Sequence, residues 1–252
     1  MRVRDAYRGA IFDLFHTLTG FESRWSHHPP TCTTLGIDPA AWNHALLENS
    51  RWRLIGEELD EITIIRRLAH SIDPAIPLEL IEHATQRRIE RFRHALTDIP
   101  ADNLETLQTL RRAGVRLALI SNADVIEVAG WSDSPLSGLF DVELFSCYAG
   151  CAKPDPEIYD RCLAQLGLEA DDCLFVGDGG SNELDGARDA GLATVLMSGV
   201  LEELWPEKIA GRTASADYHI RRIPELLPLL ASERSVPQAQ QHGAGIPRTY
   251  QD

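Results

Sequence analysis

Several polar side chains follow apolar segments at points where their chemistry could combine. Asp13 follows the apolar run AIF, and Asp178 follows CLFVG. Ser121 and Asn122 follow LALI, while Lys153 stands just ahead of a segment with helical spacing. A carboxylate at the end of a core strand is costly unless it is paired, hydrogen-bonded or bound to a metal. Brought into one crevice, these residues would supply a nucleophile, a metal-binding carboxylate pair and donors for an anion.

The composition singles out Lys153 among the basic residues. Only two of the 24 are lysines, Lys153 and Lys208, and all the others are arginines. A compact, flexible ammonium in a chain that otherwise uses arginine indicates a position too narrow for a bulky planar guanidinium. This favours a functional role for Lys153 over the alternative of a chance surface lysine ahead of a helix.

The elements that position these residues alternate between strand and helix. After the first strand, the segments with strand character are VRLALIS, LFDVELFS, CLFVGD, LATVLM and ADYHI. The segments with helical character are NLETLQTLRRAG, PDPEIYDRCLAQLG, SNELDGARDAG and PELLPLL. Such alternation predicts an α/β fold with a doubly wound parallel sheet and right-handed crossovers. In these sheets ligands bind at the carboxyl ends of the strands, which is where the polar residues fall.

The segment after the first strand has a different character. Residues 20–96 carry apolar residues at helical spacing and no convincing strand pattern, which predicts a small all-helical insert. We therefore assign residues 1–19 and 97–231 to the core and residues 20–96 to the insert. The polar tail at 232–252 is poor in apolar residues and is expected to be disordered.

Composition and charge limit the classes of function. The net charge of −14 over 252 residues argues against nucleic acid, whose phosphates need clustered cations. It leaves room for a small anionic substrate, because one local cation or metal can reverse the field inside a cleft. The GDGGSN loop lacks the GxGxxG spacing of dinucleotide-binding sites.

The cysteines and the apolar runs indicate the compartment. The five cysteines include no CxxC pair, so neither a disulfide framework nor a zinc site is expected. The N-terminus is too polar for a signal peptide, and no apolar run reaches membrane-spanning length. We therefore expect a cytoplasmic protein without a membrane partner, either a monomer or a homodimer.

Four segments, taken in order, resemble the motifs of one enzyme family. FDLFHTLT, LISNA, KPDPEIY and FVGDGGSNELDGARDAG are similar to the four motifs of the haloacid dehalogenase superfamily. The resemblance covers roughly residues 9–200, and the helical insert falls where this family carries its first-type (C1) cap. It implies a Rossmann-like core and hydrolysis through an aspartate nucleophile.

The resemblance implies a role for each matching residue. Asp13 matches the nucleophile, which forms a covalent aspartyl intermediate, and Thr17 matches a residue that positions the site and the substrate. Ser121 would donate a hydrogen bond to the transferred group, with the backbone of Asn122 beside it. Lys153 would hold the nucleophile and the developing negative charge.

The resemblance also implies a Mg²⁺ site. Its ligands would be Asp13, Asp178 and the backbone carbonyl of Phe15, because a hard cation held by few carboxylates and by substrate oxygens suits this metal. Glu183 stands where many members carry a second acidic residue, commonly Asp. Its longer side chain would act on the metal through water.

One departure from the family pattern leaves the reaction open. Phosphatases usually carry a second aspartate two residues after the nucleophile as general acid and base, and here that position is Phe15, which transfers no proton. True 2-haloacid dehalogenases also carry an aromatic residue there, although theirs is tyrosine, and a departing halide needs no proton. Those dehalogenases lack the GD of the fourth motif, whereas this chain has it at Asp178.

We therefore predict Mg²⁺-dependent, phosphatase-type hydrolysis of a small phosphorylated metabolite. The alternative is carbon–halogen hydrolysis of the 2-haloacid dehalogenase type. A further alternative is a catalytically weakened member of the family that acts as a binding or regulatory module, which the absence of the acid at Phe15 favours.

Residues near the motifs suggest two more hypotheses. His16 could replace the missing acid, but the favoured interpretation is that it fills a glycine position and points away from the crevice, since strand residues alternate faces. Aromatic and basic residues of the insert are candidates for a lid over the crevice: Trp25, Trp42, Trp52, Arg51 and Arg53. One of the two arginines would contact an anionic group of the substrate.

Overall fold

The structure is a computed structural model that describes residues 7–20, 29–48 and 50–230. The sequence predictions for Trp25 and for the tail at 232–252 fall outside these residues. Among the helices that are described, none combines the length and the apolar character needed to cross a membrane.

Six parallel strands form one sheet in the described part of the chain. In sequence order they are β1 (Gly9–Phe12), β2 (Arg116–Ser121), β3 (Val142–Phe145), β4 (Cys173–Gly177), β5 (Ala193–Met197) and β6 (Tyr218–Ile220). They lie side by side in the order β3-β2-β1-β4-β5-β6, which confirms the predicted doubly wound parallel sheet. The order reverses beside β1, where Ile11 pairs with Ala118 of β2 on one side and with Phe175 of β4 on the other. A reversal of this kind opens a crevice at the carboxyl ends of the strands.

All of the regular secondary structure in the described part of the insert between β1 and β2 is helical. Its helices are α1 (Thr31–Leu35), α2 (Pro39–Leu47), α3 (Arg51–Leu54), α4 (Glu61–Ile72) and α5 (Leu78–Thr97). Helix α4 begins where the Asp60 side chain accepts a hydrogen bond from the Thr63 amide at 2.7 Å. The insert is therefore all-helical over its described residues, while its exact limits at 20 and 96 stay a prediction.

The core helices flank the sheet. They are α6 (Ala101–Arg112), α7 (Val125–Val128), α8 (Ser146–Ala149), α9 (Pro156–Leu166), α10 (Glu183–Asp189), α11 (Gly199–Leu204), α12 (Ile209–Thr213) and α13 (Leu227–Leu230). Four of these helices, α7, α8, α11 and α12, were not predicted from the sequence. Each is six residues or shorter, and so short a helix shows no periodic apolar pattern. The predicted helix PELLPLL divides into a 3₁₀ turn at Ile223–Leu226 and α13.

The sheet is buried on both faces. Successive residues of β1 point to opposite sides, so Phe12 joins one apolar cluster and Ile11 joins the other. Because both faces are covered, the strands that lead to the site are continuous apolar runs rather than alternating ones. The cluster that contains Phe12 continues into the insert through Leu68 and Leu96. Core and insert therefore share one apolar interior.

Two buried ion pairs also connect the insert with the core. Arg53 of α3 donates to Asp124 at 2.6 Å, and Arg88 of α5 donates to Glu127 at 2.7 Å. Asp124 and Glu127 form a reciprocal capping box at the start of α7, each side chain accepting the other residue's amide. Burial and the charge of Asp124 raise the pKa of Glu127 above its ordinary value. The arginines therefore offset two carboxylates that would be costly alone in this interior.

Close packing joins α10 to the loop that follows Lys153. A Cβ atom at Gly186 would lie 2.6 Å from the Pro154 carbonyl oxygen and 2.9 Å from the Pro154 Cα. Both neighbours are backbone atoms, so they cannot move aside as a flexible side chain would. The absence of a side chain at Gly186 thus keeps Lys153 close to Glu183, the first residue of α10.

Gly186→Ala is expected to lower the free energy of unfolding. Overpacking against backbone costs about 1–3 kcal/mol, which exceeds the ~1 kcal/mol that alanine contributes in a helix. Urea denaturation measures the change. The matched control is Gly211→Ala in α12, where an added Cβ meets no atom within 4 Å and should leave stability unchanged or raise it. Equal shifts for the two variants would contradict the packing argument.

The pair of Arg88 and Glu127 is expected to be energetically coupled. A double-mutant cycle of Arg88→Met and Glu127→Gln isolates this coupling, because each single change removes one partner of a buried ion pair, at a cost of up to about 3–5 kcal/mol. Arg53, 3.7 Å from Glu127, is unchanged in all three variants. The double variant should recover about 1–3 kcal/mol relative to the sum of the single changes. The exposed pair of Glu157 and Arg161 serves as control, with an expected coupling below about 0.5 kcal/mol. A buried coupling no larger than the surface one would count against this account of the insert–core junction.

Candidate active site

Adjacent strand ends bring the two predicted aspartates together. The pairing of β1 with β4 extends one residue beyond the strand, because the Asp13 amide donates to the Val176 carbonyl at 2.9 Å. Asp178 follows β4 directly. Both carboxylates therefore lie at the carboxyl end of the sheet, beside the point where the strand order reverses.

Lys153 lies between two carboxylates at the centre of the site. Its Nζ donates to Asp13 Oδ1 and to Glu183 Oε2, both at 2.6 Å, and only 1% of its side chain is exposed. Burial alone disfavours the charged amine, but the carboxylates of Asp13 and Glu183 outweigh it and raise the pKa of Lys153 above its ordinary value. Lys153 is therefore a fixed cation beside the candidate nucleophile.

Asn122 holds the backbone of Lys153 in place. Its Oδ1 accepts a hydrogen bond from the Lys153 amide at 2.8 Å, and its Nδ2 donates to the Lys153 carbonyl at 2.7 Å. The family resemblance implied a role for the backbone of Asn122 and none for its side chain. Its side chain ties the end of β2 to the segment that carries the ammonium.

Thr17 and Ser121 do not line the cavity themselves, but each is adjacent in the chain to a residue that does, His16 and Asn122 respectively. Thr17 donates from Oγ1 to Asp13 Oδ2 at 2.9 Å, so each oxygen of the Asp13 carboxylate accepts a hydrogen bond. Ser121 is buried, and its hydroxyl has no hydrogen-bond partner among the described residues. A buried hydroxyl without a partner is costly, and a bound substrate oxygen would satisfy it.

Glu183 is anchored by both its side chain and its backbone. Oε1 accepts a hydrogen bond from the Gly179 amide at 2.9 Å, and the Tyr159 hydroxyl donates to the Glu183 carbonyl at 2.7 Å. The side chain lies so close to β4 that a Cβ at Gly177 would fall 2.2 Å from Oε1. Burial above all, and then the charge of Asp13, raises the pKa of Glu183 above its ordinary value.

Asp178 is oriented by the loop after β4 and by an arginine from a later segment. Its Oδ1 accepts a hydrogen bond from the Gly180 amide at 2.8 Å, and its Oδ2 accepts one from Arg212 at 2.9 Å. Arg212 also donates to the Asp178 carbonyl at 2.8 Å. It belongs to α12 and was not among the predicted site residues.

The three carboxylates fit a divalent cation. One oxygen from each of Asp13, Asp178 and Glu183 lies within 4.8 Å of the others, and all three residues are buried. Their oxygens are hard donors of the kind that Mg²⁺ prefers, and each can accept a cation besides its hydrogen bond. Phe15 lines the same cavity, and its carbonyl as a ligand stays a prediction.

These residues open onto a cavity of about 410 Å³ between insert and core. The core contributes Asp13, Lys153, Asp178 and Glu183 to its floor. The insert contributes apolar side chains and a buried cation from α2, α3 and α5: Leu46, Leu47, Leu54, Phe92 and Arg53. The volume suits a small metabolite enclosed by both parts of the chain.

Phe15 occupies the position where a second aspartate would stand. Its ring packs edge-to-face on Phe92 of α5, with 5.4 Å between the ring centroids. Where a carboxylic acid would face the leaving group, the chain instead has an aromatic contact between core and insert.

The expectation that His16 points away from the crevice is wrong. His16 lines the cavity, and its ring lies edge-to-face with Trp205 at 5.2 Å. Alternation of faces does not apply, because β1 ends at Phe12 and His16 lies in the following turn with φ of +63°. That left-handed conformation is one that glycine adopts readily, in keeping with the predicted glycine position.

The lid candidates of the insert divide into three groups. Trp42 and Trp52 belong to the buried apolar cluster and line other cavities, so their prediction as lid residues is wrong. Helical spacing alone does not separate a core aromatic from a ligand contact. Arg51 is exposed and donates to Asp155 at 2.8 Å, outside the cavity. Arg53 does line the cavity, although its guanidinium is bound to Asp124.

Some cavity residues were missed at the sequence level. Trp205, Lys208 and Arg212 come from the segment around α11 and α12, after the last motif, where no local pattern indicates a site. For Glu127 the sequence did contain a signal of the helix that carries it, since an aspartate followed three residues later by a glutamate is typical of a helix start.

Curated proteins with similar sequences include hydrolases of different kinds. The chain is 32% identical over 116 residues to bifunctional epoxide hydrolase 2 of Rattus norvegicus, covering 43% of this chain and 20% of that protein. It is 32% identical over 134 residues to ribulose-1,5-bisphosphate 5-phosphatase of Halopiger xanaduensis, covering 52% of this chain and 56% of that protein. The chain thus spans less than two thirds of the length of these relatives.

Solved structures agree on the fold. A crystal structure of a dehalogenase superposes with a TM-score of 0.66 at 23% identity, covering 91% of this chain and all of that one. The family model of the haloacid dehalogenase-like hydrolases matches residues 7–191. That match covers well over half of the 252 residues and includes every residue of the acidic site. The chain therefore belongs to the haloacid dehalogenase-like hydrolases, as the four motifs predicted.

Proposed function

We propose that the protein is a Mg²⁺-dependent phosphatase that hydrolyses a small phosphorylated metabolite through Asp13. The observation that carries the proposal is the buried trio of Asp13, Asp178 and Glu183 around a single ammonium. Carboxylates of like charge repel one another in a buried site, so three of them favour a bound cation. Displacement of a halide would need only the nucleophile Asp13 and neither of the other two carboxylates.

The side chains of the site divide the reaction among themselves. Asp13 attacks phosphorus and forms an aspartyl phosphate as the bond to the leaving oxygen breaks; water then hydrolyses this acyl phosphate, which releases phosphate and regenerates the carboxylate. Thr17 and Lys153 hold the carboxylate in the attacking orientation through their hydrogen bonds to its two oxygens. Lys153 also offsets negative charge on the phosphoryl oxygens, and the Ser121 hydroxyl donates to one of them.

The metal would be held by the acidic trio and the carbonyl of Phe15. When bound, Mg²⁺ would neutralise the charge that the nucleophile and the phosphoryl oxygens bring together. Arg212 fixes the orientation of Asp178 by binding both its side chain and its backbone. The Gly179 amide does the same for Glu183.

The proposal includes a class of substrate, a cellular compartment and an oligomeric state. We expect a small anionic substrate, which the cavity of about 410 Å³ would enclose. All five cysteines are buried and free, in keeping with the reducing cytoplasm where we expect the protein to act as a monomer or a homodimer. The similarity to a sugar-bisphosphate phosphatase supports the choice of phosphate ester.

Carbon–halogen hydrolysis is the second candidate. The observation that favours it is Phe15, since a halide leaves without a proton and needs no acid at that position. In this reaction Asp13 would attack carbon and form an alkyl ester, which water would hydrolyse. The likeness to a solved dehalogenase supports the fold that both reactions share.

Release of 4-nitrophenolate from 4-nitrophenyl phosphate tests the proposed phosphatase. Wild-type protein should turn it over with Mg²⁺ and stop in EDTA, while Asp13→Asn should lower kcat/KM by about a thousandfold or more. The leaving group needs little acid help, so Phe15 does not mask the activity. Asp189→Asn, which removes an exposed carboxylate at the end of α10, is the matched control and should retain turnover.

Absence of turnover in every condition would rule out phosphatase activity on this activated ester. Halide release from 2-haloacids is then the next assay, with Asp13→Asn as the same negative control. A second negative result would leave a binding or regulatory module as the best remaining explanation.

The dependence of rate on the leaving group tests the role of Phe15. Wild-type protein should strongly prefer 4-nitrophenyl phosphate over an alkyl phosphate such as glycerol 1-phosphate, because general acid catalysis contributes about 10²–10⁴-fold. Phe15→Asp should raise kcat/KM for the alkyl ester relative to the aryl ester by about a hundredfold. Phe15→Asn loses the same contact with Phe92 without adding an acid. An equal rise for both variants would show that relaxed packing, rather than proton transfer, sets the preference.

A further inference from the structure

The cations that line the active-site cavity are almost all bound to carboxylates. Each of three has an acidic partner within 3 Å, in the pairs Lys153 with Asp13, Arg53 with Asp124 and Arg212 with Asp178. The fourth is Lys208, which has no carboxylate within 4 Å among the residues that the structure describes. Among the described cations of this cavity, Lys208 alone is therefore available to a new anion without breaking an existing ion pair.

Trp205 holds the Lys208 ammonium without neutralising it. The Nζ atom lies 4.6 Å from the centroid of the Trp205 ring, which is a cation–π contact. The indole is itself packed edge-to-face against His16. The three side chains form one wall of the cavity, with Lys208 on its solvent-exposed side.

The backbone that carries Lys208 is tied to the site. Lys208 ends the 3₁₀ turn Pro206–Lys208 and precedes α12, and Arg212 of that helix binds Asp178. The backbone of Lys208 thus belongs to the core rather than to the insert, four residues from the arginine that binds Asp178.

The amino-acid composition of the chain also singles out Lys208 as a candidate anion-binding residue. Of 24 basic residues only Lys153 and Lys208 are lysines, and both line this one cavity. In a chain of net charge −14, an anion is repelled at long range, so a second anionic group needs a local cation. A compact ammonium can bind such a group as a point charge.

We infer that Lys208 binds a second anionic group of the substrate, a carboxylate or a phosphate, at the end away from the scissile bond. The natural substrate is then a phosphate ester that carries a second acidic group. This inference rests on the proposed phosphatase function and adds to it the class of substrate and a specificity-determining residue outside the four motifs.

A series of aryl phosphates tests the inference. Each ester is a 4-nitrophenyl phosphate with an added carboxylate or phosphonate, attached to the ring directly or through a one- or two-carbon arm, and each is compared with its neutral amide. Wild-type protein should prefer at least one acidic ester over its amide by about tenfold in kcat/KM, the effect of one hydrogen bond to a charged group. Comparison of the esters that carry a carboxylate with those that carry a phosphonate distinguishes a carboxylate site from a phosphate site.

Two variants of Lys208 decide the cause of this preference. Lys208→Met keeps the contact with Trp205 but loses the charge, and should bring the ratio of acidic ester to amide close to one. Lys208→Arg keeps the charge and should retain most of the ratio. Arg66→Met removes an exposed cation of α4 outside the cavity and should leave the ratio as in the wild type.

Failure of the inference is distinguishable from failure of the proposed function. If 4-nitrophenyl phosphate is hydrolysed but no acidic ester is preferred, or if the preference survives in Lys208→Met, the inference is overturned and the phosphatase stands. If no aryl phosphate is hydrolysed with Mg²⁺, both are overturned.

Discussion

The ammonium of Lys153, buried between Asp13 and Glu183, is the interaction on which the other parts of the site rely. Two carboxylates this close and this deeply buried would otherwise repel each other and take up protons. The neighbouring structure serves to place this cation. Asn122 binds its backbone from the end of β2, and the absence of a side chain at Gly186 allows α10 to bring Glu183 within reach.

The insert supplies the rest of the cavity lining and holds itself to the core by ion pairs. It lines the cavity with apolar side chains and contributes Arg53 and Arg88, whose ion pairs with Asp124 and Glu127 hold insert and core together. The burial of Asp13, Lys153 and Glu183 on the cavity floor strengthens the electrostatic interactions among them. The contact between insert and core also has a chemical consequence, because Phe92 of the insert packs on Phe15. The contact places an aromatic ring where an acid would assist a poor leaving group.

Much of this protein is readable from its sequence, because the relevant signals are local. Apolar runs long enough for one buried strand alternate with helical segments, and this pattern is enough to predict a doubly wound sheet. In such a sheet every strand points the same way, so residues that directly follow strands must gather at one end. That rule alone predicts that Asp13, Asp178 and the end of β2 lie together, and the family match confirms the class of enzyme.

Contacts between segments that no local pattern connects arise only when the chain folds. Arg212 reaches Asp178 across 34 positions, and Arg53 reaches Asp124 across 71. Amino-acid order is sufficient to indicate the main strands and longer helices and the side chains that end them, because those depend on apolar periodicity and on neighbouring residues. The folded chain was needed to show that Lys208 rather than Trp42 or Trp52 faces the cavity. Such choices depend on how distant surfaces pack, and helical spacing looks the same for a residue that faces the core and for one that faces a ligand.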